Sequence, residues 1–110
     1  MIFDQETLIF LESLNLKKDP EVGDFFGRGY ADFGVEVFCV VPKGFISLMS
    51  GTILEKAKAK DFFFIPPYEE LLAVLVRNDP EKAISFIRSQ DLSYINLLQL
   101  TQGILKNEFY

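Results

Sequence analysis

Helical and strand-like spacings of apolar residues alternate along the chain, and each predicts an element. In residues 4–16, Leu8, Leu11 and Leu14 recur at helical spacing. Asp4 stands where it can cap the first turn and Glu6 where it meets the positive dipole end, so a helix over 4–16 is predicted. The 15–20 segment ends it, with Lys17 and Lys18 at the negative end of the dipole. Residues 33–50 read differently. Val35, Val37, Val40 and Val41 are β-branched, and Phe38 and Cys39 complete an apolar run. Such a run packs well on a pleated surface and predicts a strand buried on both faces. Pro42, Lys43 and Gly44 supply turn chemistry, so a β-hairpin is expected over about 33–50. Its first strand carries Val35, Val37, Cys39 and Val41 on one face and Glu36, Phe38 and Val40 on the other.

Around this hairpin the pattern is mixed. Four glycines, Gly23, Gly27, Gly29 and Gly34, interleave with Phe25, Phe26, Tyr30 and Phe33, and glycine at this density predicts a loop or an irregular edge strand over 19–34. Residues 52–60 are strong helix formers behind a Ser-Gly-Thr cap region, while their Ala-Lys alternation also fits an edge strand with lysines outward. Residues 61–65 predict a short strand, stopped by Pro66 and Pro67. Beyond Pro67 three helices are expected. The first has Glu69 and Glu70 in its opening turn and Leu71, Leu72, Leu75 and Val76 on its apolar side. The second is capped by Asp79, opened by Pro80 and striped by Ala83, Ile84, Phe86 and Ile87. The third is capped by Asp91 or Ser93, with Ile95, Leu98, Ile104 and Leu105 inward and a fray or kink at Gly103. The sum is a single α+β domain over 1–110, a small antiparallel sheet packed against an N-terminal helix and three C-terminal helices.

Composition narrows the chemistry. The chain has 110 residues, a net charge of −5, twelve Phe, one Cys and no His. A lone cysteine cannot form an internal disulfide or a multi-cysteine metal site, and the lack of histidine removes the commonest general base and metal ligand. No cofactor is expected. The acidic balance disfavours nucleic acid and anionic membranes and suits a basic protein partner. No apolar run approaches the ~20 residues of a membrane-spanning helix, and the acidic N-terminus does not read as a secretory signal, so a cytoplasmic protein is expected.

Candidate sites are few. Asp32, Phe33 and Gly34 spell the kinase metal-binding tripeptide without the rest of that motif set, which makes it a chance match. Gly27, Arg28, Gly29 and Tyr30 could cradle an anion, but lack the strand–loop–helix context of a phosphate loop. Phe25, Phe26, Arg28 and Tyr30 are of the types that anchor protein interfaces. Within 62–64 adjacent phenylalanines must point to opposite faces of a strand, so Phe63 is a further candidate for a contact, including one in a homodimer. Glu69 and Glu70 point about 100° apart on a helix and do not form a catalytic pair. Nothing assembles a nucleophile, a base and an orienting group, so the chain does not read as an enzyme. The expectation is a non-catalytic protein-binding module of the inhibitor, immunity or regulatory kind. The alternative is a small-molecule-binding domain with an aromatic-lined pocket between sheet and helices.

Overall fold

The computed structural model describes residues 3–32 and 34–109. It is an α+β fold: one five-stranded antiparallel sheet, one helix before it and three after it. By compactness the chain divides after Ile65, with Pro66–Phe109 forming the second unit.

The first unit opens with α1 (Gln5–Leu14). The Thr7 N–H donates to Asp4 Oδ1 at 2.7 Å, the cap expected from the sequence, and Leu8, Leu11 and Leu14 are buried on one side. Five strands follow: β1 (Phe25–Tyr30), β2 (Gly34–Val41), β3 (Gly44–Ser47), β4 (Ile53–Leu54) and β5 (Phe63–Ile65), in the spatial order β4-β3-β2-β1-β5. The expected hairpin is β2–β3, closed by Pro42 and Lys43; its predicted first residue, Phe33, lies outside the described residues. Gly44 takes φ +146°, and a Cβ there would run into the carbonyl oxygen of Leu54, so the turn admits no side chain at this position.

Two stretches differ from expectation. Residues 25–30 are not a loop or an edge but an interior strand, flanked by β2 and β5. Gly27 explains it: Phe63 is its direct cross-strand partner, and the Phe63 ring occupies the space a Cβ would need. The glycine is a receptor for an aromatic ring rather than a break in the strand. Residues 52–60 form no helix. Ile53 and Leu54 make a two-residue edge strand, and a 3₁₀ turn over 59–61 leads into β5. The segment has no second apolar stripe with which to pack as a helix, so tertiary pairing overrides its propensity.

Directly paired residues share a sheet face. The register therefore sets Phe26, Arg28, Glu36, Phe38, Val40, Phe45, Ser47, Leu54 and Phe64 on one face, with Phe25, Gly27, Val35, Cys39, Ile46, Phe63 and Ile65 on the other. The helix α1 contacts β1, β2 and β5. The first face holds a ring cluster: Phe45 stacks on Phe62 at 4.5 Å, Phe62 meets Phe38 edge-on at 5.2 Å, and Phe26 lies 5.5 Å from both Phe45 and Phe64. Such pairs add about 0.5–1.5 kcal/mol each beyond their burial.

The open sides of the sheet are partly closed by side chains. The Gln5 carboxamide accepts from the Val35 N–H and donates to the Val35 carbonyl, beyond the end of β3. Along the outer side of β5, the Phe64 N–H donates to the Leu16 carbonyl and Lys17 Nζ donates to the carbonyls of Lys60 and Phe62. Lys17 and Lys18 thus do not serve the α1 dipole; Lys18 pairs with Asp24 at 2.6 Å. Unguarded strand edges invite pairing with other chains, and these contacts close one of them.

The second unit is three helices: α2 (Tyr68–Asn78), α3 (Pro80–Arg88) and α4 (Tyr94–Glu108). Asp79 caps α3 and Ser93 caps α4. Helix α2 contacts α3 and α4. Leu71, Val74 and Leu75 of α2, Ala83 and Phe86 of α3, and Leu97, Leu98, Thr101 and Leu105 of α4 are buried. Val76 on α2 and Ile84 and Ile87 on α3 were expected inside and are exposed, because each helix buries only a narrow stripe, Leu71, Val74 and Leu75 on α2 and Ala83 and Phe86 on α3. Helix α4 runs through Gly103 unbroken.

Candidate functional site

The sequence singled out Phe25, Phe26, Arg28, Tyr30 and Phe63, and the strand register divides them. Phe26, Arg28 and Tyr30 alternate onto the ring-cluster face; Phe25 and Phe63 lie on the opposite one. Phe26 and Phe63 are interior, at 1 % and 3 % exposure, and Phe25 is half-buried. Neither Phe26 nor Phe63 presents a ring to a partner: the first packs among rings and the second fills the space over Gly27. All three phenylalanines of 62–64 are enclosed.

Arg28 and Tyr30 remain, and they are brought together. The Arg28 guanidinium lies 5.4 Å from the Tyr30 ring centre and 5.8 Å from that of Phe62, a cation held over two aromatic faces. Across the ladder from Arg28 stands Glu36. The anion cradle that the sequence disfavours at 27–30 does not form, since Gly27 lies between two strands and Arg28 stands opposite Glu36 in the ladder.

Glu36 organises the rest of the site. The buried Ser47 hydroxyl donates to its carboxylate, while the Ser47 oxygen accepts from the Met49 and Ser50 N–H groups at 3.2 Å each. The Tyr30 phenol is shifted upward, first by burial and then by hydrogen bonding with Glu36 and its negative charge, with Arg28 acting the other way. The turn after β3 is fastened further by the Gly51 N–H donating to the Ser47 carbonyl. It therefore holds Leu48 and Met49 outward, 47 % and 80 % exposed, on a hydrogen-bonded turn. Between this turn and β2 lies a cleft of about 590 Å³ lined by Tyr30, Val35, Glu36, Met49 and Ser50. Sequence reasoning missed Glu36, Ser47, Leu48 and Met49. The one available signal was two adjacent apolar residues, Leu48 and Met49, placed against a Ser-Gly turn.

Other features offer less chemistry. Cys39 is half-buried, and burial followed by the charge of Asp24 pushes its thiol up, away from the reactive thiolate. Glu69 and Glu70 lie in the first turn of α2, where they complement its dipole. Among the described residues no cluster of three or more Cys, Asp or Glu could hold a metal ion, and no helix is long and apolar enough to cross a membrane. Compared with protein-family models, curated proteins and solved structures, the chain matches none.

Proposed function

We propose that the chain is a non-catalytic protein-binding module that docks a protein partner on the turn after β3 and the neighbouring Tyr30–Glu36 cleft. One observation carries the reading: Leu48 and Met49 are displayed to solvent on a turn fastened through Ser47. Apolar side chains exposed on a rigid support beside a cleft are the usual make-up of an interface core, and methionine adapts to an apolar partner surface. Phe26 and Phe63, expected to supply this surface, instead build the interior, and Leu48 and Met49 take their place. Binding of this kind acts by occupying a partner's surface, as an inhibitor, immunity or regulatory protein does. The acidic charge suits a basic partner.

The test is affinity capture from the host's extract with the wild-type chain and with a Leu48→Asp, Met49→Asp double variant. A retained polypeptide is then purified and titrated against both by calorimetry. The reading requires a complex that the variant loses at unchanged melting temperature. If both chains bind equally, or if purified wild-type chain assembles with itself through another face, the reading fails.

A second reading has its own support: a cleft of about 590 Å³ lies within the ~300–1,000 Å³ typical of small-molecule sites. Thermal-shift screening separates the two, because a tight small ligand raises the melting temperature by mass action.

A further inference from the structure

We infer that the cleft beside the turn after β3 receives a lysine or arginine side chain of the protein partner, with Glu36 as its counter-ion. This rests on the docking face proposed above and adds the chemistry of what docks there.

The cleft is built in two parts. Tyr30 and Met49 contribute apolar surface and Glu36 contributes a carboxylate. A long cationic side chain has the matching division, an apolar stem and a charged head. The Tyr30 ring adds the attraction of an aromatic face for a cation. Glu36 is held in place for this role, since the Ser47 hydroxyl donates to it while Ser47 is itself fixed by two backbone N–H groups.

Among the described residues the carboxylate also has no cation within ion-pair distance. The ion pairs among the described residues join Lys18 to Glu21 and Asp24, Arg77 to Glu108, and Lys82 to Asp79, and none includes Glu36. Arg28, the cation opposite Glu36 in the ladder, is directed over the rings of Tyr30 and Phe62. A half-buried carboxylate with two hydroxyl-bearing neighbours and no ion partner gains more from an incoming cation than an exposed one does, because water screens it less. The net charge of −5 steers the same class of partner toward the chain.

The experiment uses the whole chain, isotopically labelled, titrated with three blocked tripeptides carrying arginine, lysine or norleucine between two leucines. Amide chemical shifts are followed by NMR. The arginine and lysine peptides are expected to move the signals of Tyr30, Glu36, Met49 and Ser50, and norleucine to bind about tenfold more weakly or worse. Glu36→Gln, which keeps the shape and an acceptor for Ser47, should bring the charged peptides down to the norleucine level; the Glu69→Gln control should not. Equal binding of all three peptides at the turn would overturn the cation site and leave the docking face standing. No peptide moving residues 48–50 would remove the docking face as well.

Discussion

Replacing Gly27 with alanine probes how the sheet is assembled. An added methyl would lie 2.6 Å from Phe63 Cε2 and 2.9 Å from Cε1, and closer still to Cζ. Carbon atoms rest about 3.5–4.0 Å apart, so the ring must retreat by roughly 1 Å or more. Phe63 is 3 % exposed and Ile65 beyond it 1 % exposed, so the ring has little room to yield. Overpacking of this kind costs about 1–3 kcal/mol, offset by about 0.4–1 kcal/mol because alanine restricts the unfolded chain more than glycine. A net loss of about 1–2 kcal/mol is expected, read as a lower urea midpoint by circular dichroism at constant slope. Amide exchange should place the loss in β1 and β5. The decisive version is a double-mutant cycle with Phe63→Leu, which shortens the side chain that the methyl strikes. The pair should be about 1 kcal/mol or more better than additive. Additivity within about 0.5 kcal/mol would refute the idea that the ring is what makes residue 27 a glycine.

Other outcomes follow from the same contacts. Ser47→Ala removes a buried hydroxyl that serves two N–H groups and Glu36, and should cost about 1–3 kcal/mol by urea unfolding and loosen the amides of Met49 and Ser50. Lys17→Met keeps the stem but removes the hydrogen bonds to the Lys60 and Phe62 carbonyls; a loss of about 0.5–1.5 kcal/mol by the same assay is expected. Gly103→Ala adds a methyl into open space in the interior of α4 and should stabilise by about 0.5–1 kcal/mol, seen as a higher melting temperature. Burial pushes the Tyr94 phenol well above its ordinary value of 10, while its hydroxyl donates to the Pro66 carbonyl at 2.6 Å. Below pH ~10 both folded and unfolded states keep this proton; above it the unfolded state releases it first, so stability falls as pH rises. Absorbance titration should show Tyr94 ionising last, together with unfolding, and Tyr94→Phe should flatten that part of the stability curve.

The sequence announced some of this plainly. The caps at Asp4 and Asp79, the choice of Asp91 or Ser93 for the last helix that the structure resolves to Ser93, the break at 78–80 and the Pro42–Lys43 turn all carry local chemistry that acts whatever the surroundings. What local pattern could not convey was which neighbour would fill which gap. Glycines in 25–30 looked like breaks because their partner, Phe63, is 36 positions away in sequence and meets Gly27 only once β5 pairs with β1. The helix propensity of 52–60 lost because a helix needs an apolar face to dock, and Ile53 and Leu54 are the only large apolar residues in the segment. The candidate site was half legible for the same reason. Arg28 and Tyr30 stand out by residue type and closeness in sequence, but that they share one strand face follows only from the pairing with β2. Glu36 and Ser47 join them only through strand register, and Met49 through a turn that Ser47 holds.

The central claim is that the turn carrying Leu48 and Met49 is where a partner sits. Methionine oxidation tests it on the native chain, since Met49 is 80 % exposed and its thioether becomes a polar sulfoxide. The rate of peroxide oxidation at Met49, followed by mass spectrometry of its peptide, should fall several-fold when the chain is in its complex, and prior oxidation should weaken that complex. A rate unchanged by complex formation would contradict the account.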